Sequence, residues 1–311
     1  MNLTDDQLDR ATGVLLATAA GDALGAGYEF TYPTAATTID MVGGGPFGWA
    51  PGEWTDDTSM AIAIALAADE TGDLTGTAGQ DAIARRFVAW YDSRPPDIGN
   101  QTASVLSHRS PTGAAMTAVS AGLRGRTGGN GSLMRTAPVA LSHLDDADAA
   151  VAAAAAVSRL THSDERAVQA CELWTTAIRH AVLHANLDGI DHYLDRAPAD
   201  VSGYWRPLLE QAETGSPEQF SNNGWVVHAL MTAWWAIAGT ASSGPQQLPA
   251  ALELCVRAGN DTDTTAAIAG GLLGARWGAT AVPQRWRAIL HGYPGLDADG
   301  LVALAERIAT A

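Results

Sequence analysis

The run Ala258-Gly259-Asn260-Asp261-Thr262-Asp263-Thr264-Thr265 sets two acids one residue apart among hydroxyls, ahead of an apolar stretch ending at Trp277. A helix N-terminus makes good use of one acceptor, because its free N–H groups and its dipole favour negative charge. Capping has no use for a second carboxylate, and crowded acids repel unless a cation lies between them. Far upstream, Trp54-Thr55-Asp56-Asp57-Thr58-Ser59 has the same layout before another apolar stretch. Neither segment carries His or Cys, so the donors are hard oxygens that suit Mg²⁺, Mn²⁺ or Ca²⁺ better than zinc. The two segments are expected to meet in space and share such ions. Taken singly, either one also reads as a helix cap with surplus acids.

Other stretches carry chemistry of a less specific kind. Gly129-Asn130-Gly131-Ser132 can turn backbone N–H groups toward an anion, and a helix expected after it would add its dipole. Glu29 lies between Tyr28 and Phe30, and a carboxylate in apolar surroundings can act as an acid or base near neutrality. Its plainer reading is an exposed loop acid. In Thr161-His162-Ser163-Asp164, His162 either binds substrate or shuttles a proton, or is a satisfied surface residue beside a helix cap.

The elements that must position these groups read as helices. Alanine-rich segments with Leu, Arg, Gln and Glu dominate, and runs of Val, Ile and Thr are rare, which points to an all-α protein. Thr4 or Asp5 caps a first helix through Ala20, and the glycines of residues 21–27 then mark tight turns or a close backbone approach. Residues 31–53, with Pro33, Pro46, Pro51 and three successive glycines, form a long loop suited to be a lid or wall. Helices are expected at 57–68, 78–92, 101–107, 113–123, 146–160, from Ser163 or Asp164 onward, and at 198–212. Further ones follow at 224–238, 246–258, 262–277, 283–290 and 298–309. Loops are evenly spread, so residues 1–311 are expected to form one domain.

Bulk properties exclude several functions. The chain has 311 residues, 47% of them hydrophobic and 17% charged, as in globular proteins with a substantial core. A net charge of −16 argues against a general nucleic-acid surface or docking on an anionic membrane. Cys171 and Cys255 sit among apolar residues at helical spacing and read as buried free thiols. The N-terminus is acidic where a signal peptide would be basic, and no apolar run reaches a membrane span, so a cytoplasmic location is expected.

Five motifs in order resemble the ADP-ribosylglycohydrolases, especially the bacterial dinitrogenase-reductase-activating glycohydrolase branch. They are Gly21-Asp22-Ala23-Leu24-Gly25 with Glu29, Trp54-Thr55-Asp56-Asp57-Thr58, Gly129-Asn130-Gly131-Ser132-Leu133-Met134-Arg135, Thr161-His162, and Gly259-Asn260-Asp261-Thr262-Asp263-Thr264. The resemblance implies a compact single-domain, all-α orthogonal helical bundle with two divalent cations, Mg²⁺ or Mn²⁺, in a cleft. It implies Thr55, Asp56, Asp57, Asp261, Asp263 and Thr264 as metal ligands, and Glu29 and Asp261 as catalytic groups. Gly129, Asn130, Gly131, Ser132 and Met134 would hold the diphosphate and ribose with His162 nearby, and Asp22 would support the site.

The implied reaction hydrolyses the glycosidic bond between ADP-ribose and an acceptor, most simply an arginine side chain, through an oxocarbenium-like transition state. The partner is then an ADP-ribosylated protein or small molecule, with ADP-ribose released. Two alternatives share the same residues: a two-metal phosphoesterase, and a catalytically silent ADP-ribose binder or structural relative. The complete acid set disfavours the silent relative, and the Asn-Gly turn with the Glu29 stretch favours a glycosidic substrate.

Overall fold

In chain order the helices are α1 (Asp5–Gly25), α2 (Asp56–Thr71), α3 (Thr77–Asp92), α4 (Asn100–Leu106), α5 (Gly113–Gly122), α6 (Ala147–Arg159) and α7 (Glu165–His184). They continue as α8 (Gly189–Arg196), α9 (Ala199–Thr214), α10 (Val226–Gly239), α11 (Gln247–Ala258), α12 (Thr262–Trp277), α13 (Gln284–Arg287) and α14 (Ala298–Thr310). This is a computed structural model that describes residues 2–311. Strands are confined to one small antiparallel pair among these residues, β1 (His291–Gly292) with β2 (Leu296–Asp297). The protein is an all-α helical bundle, and its buried apolar side chains form one contiguous cluster. Among the described residues no helix is long and apolar enough to cross a membrane.

Two helices form the axis of the bundle. Every residue of α1 from Ala11 to Gly25 is buried, as is every residue of α12 from Thr262 to Ala275. A helix buried on all sides carries no amphipathic stripe, which suits their mostly small, apolar composition. They approach backbone to backbone. A Cβ added at Gly21 would lie 2.2 Å from the Ala266 carbonyl oxygen, and one at Gly270 would lie 2.1 Å from that of Ala17. Only glycine permits this contact.

Several boundaries differ from the sequence reading for identifiable reasons. Helix α1 does not break after Ala20 but runs to Gly25, because its glycines serve the approach to α12 and make no turn. A capping box at Thr4 starts it as expected: Gln7 N donates to Thr4 Oγ1, and Thr4 N donates to Gln7 Oε1. The turn at residues 129–132 does not open an α-helix. Asn130 O accepts from Leu133 N at 2.9 Å and Met134 N at 3.1 Å, and a 3₁₀ helix (Ala137–His143) follows with Pro138 in its first turn. An α-helical dipole therefore does not act on this turn. Helix α8 was not anticipated, and α13 occupies only four residues of the expected 283–290. The hairpin beyond it buttresses the site: Trp54 Nε1 donates to Tyr293 O at 3.0 Å and Trp54 N to His291 O at 3.1 Å, just ahead of α2.

Both cysteines are buried free thiols. The 31–53 segment is irregular apart from two bridges, Gly44 with Trp49 and Glu53 with His291. It contributes Phe47 to the wall of the principal cleft.

Candidate active site

The first turns of α2 and α12 come together beside the end of α1. Asp22 on α1 organises the first of them. Its Oδ1 accepts from Thr55 N and its Oδ2 from Thr58 N, each at 2.9 Å. This serves the orphan donors of α2 from another helix, so Asp56 and Asp57 are not used as caps. Thr262 Oγ1 donates to Gly25 O at 2.9 Å and pins the start of α12 to the end of α1. Asp261, at the N-cap position of α12, makes no side-chain cap hydrogen bond. Across the junction, Thr264 Oγ1 lies 3.4 Å from Asp57 Oδ2, and Thr55 Oγ1 lies 3.2 Å from the same oxygen.

Carboxylate oxygens therefore crowd into two groups. One oxygen each from Asp22, Asp57 and Asp263 lie within 4.8 Å of one another, and so do oxygens from Glu29, Asp97 and Asp263. Asp263 belongs to both groups. The structure thus brings together Thr55, Asp56, Asp57, Asp261, Asp263, Thr264, Glu29 and Asp22, all buried except the half-buried Asp261.

Burial and mutual repulsion push these acids toward their neutral forms. Glu29 is pushed up to about 9, by burial first and then by the charges of Asp97, Asp261, Asp56 and Asp22. Asp56, Asp57 and Asp263 lie well above the ordinary carboxylate range, with burial the largest cause and neighbouring acids next. Asp261 is raised by burial, against hydrogen bonds from Asn130 and Thr264 that lower it. Asp22 and Asp97 are each pushed up to about 6, chiefly by burial. Asp57 Oδ1 and Glu29 Oε2 are buried with no hydrogen-bond partner among the described residues. A buried acid cluster with orphaned oxygens and only oxygen donors fits hard divalent cations, which would supply the missing positive charge.

Above the acids opens a cleft of about 520 Å³. Its floor includes Asp56, Asp261 and Asp263, and Phe30 and Phe47 contribute aromatic surface. The 129–131 turn forms another part of its lining and is fastened to the acids. Asn130 Nδ2 donates to Asp261 Oδ2 at 2.7 Å and to Asn223 O at 2.8 Å. Met134 lines the cleft, with its sulfur 4.0 Å from Thr264 Oγ1. Ser132 does not reach the cleft: its hydroxyl accepts from Ser158 Oγ at 2.9 Å and Cys171 Sγ at 3.5 Å, beneath the turn.

His162 lines the cleft but is only 2% exposed. Burial, with the Arg135 charge behind it, pushes its pKa down to about 3. It is a neutral ring across the physiological range, so the proton-shuttle reading is set aside in favour of a polar contact.

Two residues of the site escaped the sequence reading. Asp97 follows Pro95 and Pro96 in the connection between α3 and α4, and nothing in its neighbours marks it out from an ordinary loop acid. Asn223 links the segments: its Nδ2 donates to Gly259 O at 2.9 Å, and its Oδ1 accepts from Asn260 Nδ2 at 2.7 Å. The only signal available was its place in the loop between the helices expected at 198–212 and 224–238.

Comparison with known proteins points to one family. The chain matches the family described as ADP-ribosylglycohydrolase over residues 3–311. It is 36% identical over 299 residues to an ADP-ribosylarginine hydrolase Tri1 of Pseudomonas putida (strain GB-1), covering 91% of this chain and 75% of the relative. It is 29% identical over 289 residues to the ADP-ribosyl-[dinitrogen reductase] glycohydrolase of Rhodospirillum rubrum, covering 89% of each. A solved structure described as an ADP-ribosylglycohydrolase-related protein complex superposes with a TM-score of 0.81 at 28% identity, over 99% of both chains. Matched from Leu3 to its last residue, the chain belongs to the ADP-ribosylglycohydrolase family, hydrolases of glycosidic bonds.

Proposed function

We propose that this protein hydrolyses the bond between the anomeric carbon of ADP-ribose and an arginine side chain of a modified protein, in a reaction that depends on Mg²⁺ or Mn²⁺. The observation that carries the reading is the meeting of two acidic helix starts around Asp263, which belongs to both oxygen groups. The relatives named as acting on ADP-ribosylated arginine and on dinitrogen reductase support a protein acceptor.

Thr55, Asp56, Asp57, Asp261, Asp263 and Thr264 would hold the cations, with Asp22 bracing Thr55 from below. When bound, divalent cations there supply positive charge that neutralises both the acids and a diphosphate ligand, and they lower the pKa values of the groups around them.

The remaining work falls to the chain itself. Glu29 and Asp97 face the cleft, and in its ionised form a carboxylate there is suited to take a proton from an attacking water. Asp261, held at Oδ2 by Asn130, joins the acids to the turn that would position ribose and diphosphate. Gly129, Asn130, Gly131 and His162 orient the ligand at a distance from the bond that breaks, so binding energy there fixes the reacting carbon. Met134 adds apolar contact, and Ser132 supports the turn from beneath.

The test is a panel of arginine-, serine- and nucleobase-linked ADP-ribose substrates incubated with the purified chain and Mg²⁺ or Mn²⁺. Free ADP-ribose from the arginine-linked substrate is the expected product. Release of inorganic phosphate in its place, or no release from any substrate with either ion, overturns the reading.

A further inference from the structure

Arg135 is wholly buried, yet no carboxylate pairs with it among the described residues. Its guanidinium lies over the Phe87 ring, 4.5 Å from the centroid, and one amino group lies 3.5 Å from the Met60 sulfur. Its Nε has no partner among the described residues. Burial lowers its pKa to about 10, so it remains charged at neutral pH. A buried cation without a counter-ion is costly and calls for an explanation beyond packing.

Its one short hydrogen bond suggests that explanation. Arg135 Nη2 donates to Thr161 Oγ1 at 2.6 Å, and Thr161 Oγ1 lies 2.7 Å from His162 Nδ1. A guanidinium can only donate, so it occupies a lone pair of the hydroxyl. The single hydroxyl hydrogen then has Nδ1 as its acceptor, since Thr161 is fully buried and no other acceptor pairs with Oγ1 among the described residues. A charged donor on a hydroxyl also strengthens that hydroxyl's own donation. The neutral imidazole has one hydrogen, which must sit on Nε2 if Nδ1 accepts. Nε2 has no protein partner among the described residues and faces the turn: a Cβ would come within 3.4 Å of it from Gly129 and 3.2 Å from Gly131. Glycine at both positions keeps that face of the cleft open.

We propose that Arg135 is a positioning residue, which through Thr161 holds His162 as the Nε2–H tautomer so that it donates a hydrogen bond into the cleft beside residues 129–131. The donor's recipient is an anionic or polar oxygen of the ligand, and this part rests on the ADP-ribose reading above. In a cleft lined by no arginine or lysine, a fixed neutral donor backed by a buried cation offers attraction to a diphosphate without a salt bridge.

The test uses the full chain in three forms: wild type, Thr161→Val, which removes the hydroxyl, and Thr161→Ser, which keeps it. Arg135→Met is a fourth form, informative if it folds. Proton–nitrogen NMR of ¹⁵N-histidine-labelled protein reads the tautomer directly, with no ligand present. Wild type and T161S are expected to show an imine-like Nδ1 and a pyrrole-like Nε2 on His162, and T161V is expected to lose that fixed pattern. Calorimetry with free ADP-ribose and Mg²⁺ is expected to show binding weakened about tenfold in T161V and within about twofold of wild type in T161S. A hydrogen on Nδ1 in the wild type, or T161V with wild-type affinity, overturns the proposal. Failure of the wild type to bind ADP-ribose overturns the ligand reading instead, and the tautomer measurement still decides the relay.

Discussion

Asn130 Nδ2 donates to Asp261 Oδ2 at 2.7 Å, joining the glycine turn to an acid 131 residues away, and its second hydrogen goes to Asn223 O at 2.8 Å. Both hydrogens of one amide are thus spent on holding two walls of the cleft together. Replacement by Ala removes the amide donor from the Asp261 carboxylate and frees the turn. A hydrogen bond to a charged group contributes about 1.5–3 kcal/mol, so N130A should lower kcat/KM at least about tenfold. N130D sets a further carboxylate against Asp261 and should cost more. Steady-state kinetics on ADP-ribosylarginine protein checks the order; N130D matching or exceeding N130A contradicts the bond.

Asp263 contributes to both oxygen groups, so its neutral isostere is the sharpest probe of cation binding. D263N should reduce turnover at least about a hundredfold, beyond the loss that outer groups around a metal usually produce. Removing one uncompensated charge from the cluster should at the same time raise the Tm of the cation-free protein. Added Mn²⁺ should stabilise the wild type and leave the variant unchanged, because only a bound ion shifts the unfolding equilibrium. Thermal scans with and without Mn²⁺ read all three effects; a variant that Mn²⁺ stabilises as strongly as the wild type removes Asp263 from the ion site.

The cation-free protein should lose stability as pH rises. Glu29 ionises at about 9 in the folded state against an ordinary 4.5, and Asp22 and Asp97 at about 6 against 3.8. Between those values the unfolded chain has released its protons while the folded chain retains them, so the unfolded state is favoured progressively. The stability these acids contribute is present below their ordinary pKa values and is gone once pH passes about 9. Chelator-treated protein should therefore melt lower at about pH 8.5 than at about pH 5, and saturating Mn²⁺ should flatten the slope. A flat profile without cations would mean that the cluster is already neutralised by the protein.

Gly25 lies where α1 meets the acids: a Cβ there would be 2.4 Å from the Asp263 Cα. G25A should destabilise by about 1–3 kcal/mol and displace Asp263, lowering activity as well as Tm. Gly203, inside α9, has no atom within 4 Å of an added Cβ. G203A should stabilise by about 0.5–1 kcal/mol with unchanged kinetics. Denaturant melts paired with activity assays separate the two positions; G25A with wild-type activity breaks the link between the helix contact and the site.

Much of this was readable locally. The span of α12 follows from an acid-rich start and an apolar run ending at Trp277–Gly278, and α2 from the same pattern. The surplus acids at both starts flagged a candidate cation site without any knowledge of their distance. Asp97 was not legible because a lone loop acid carries no period and no partner in sequence; only proximity to Glu29 and Asp263 distinguishes it. The orientation of Ser132 was not legible because a turn does not declare which side chains face out, and its hydroxyl is taken by Ser158 and Cys171. Gly21 and Gly25 looked like a helix stop, since the sequence does not show whether a glycine serves a turn or a neighbouring backbone.

By itself the sequence determined the helical class, the caps that begin α1 and α7, and the oxygen chemistry of the site, because these depend on residues a few positions apart. The tertiary structure alone decided which carboxylates share a space and which oxygens are left without donors. It also decided that His162 is neutral with Arg135 behind it. The physical reason is that burial and charge–charge repulsion act through distance in space, and here that distance is set by the glycine-mediated approach of α1 and α12, helices more than two hundred residues apart.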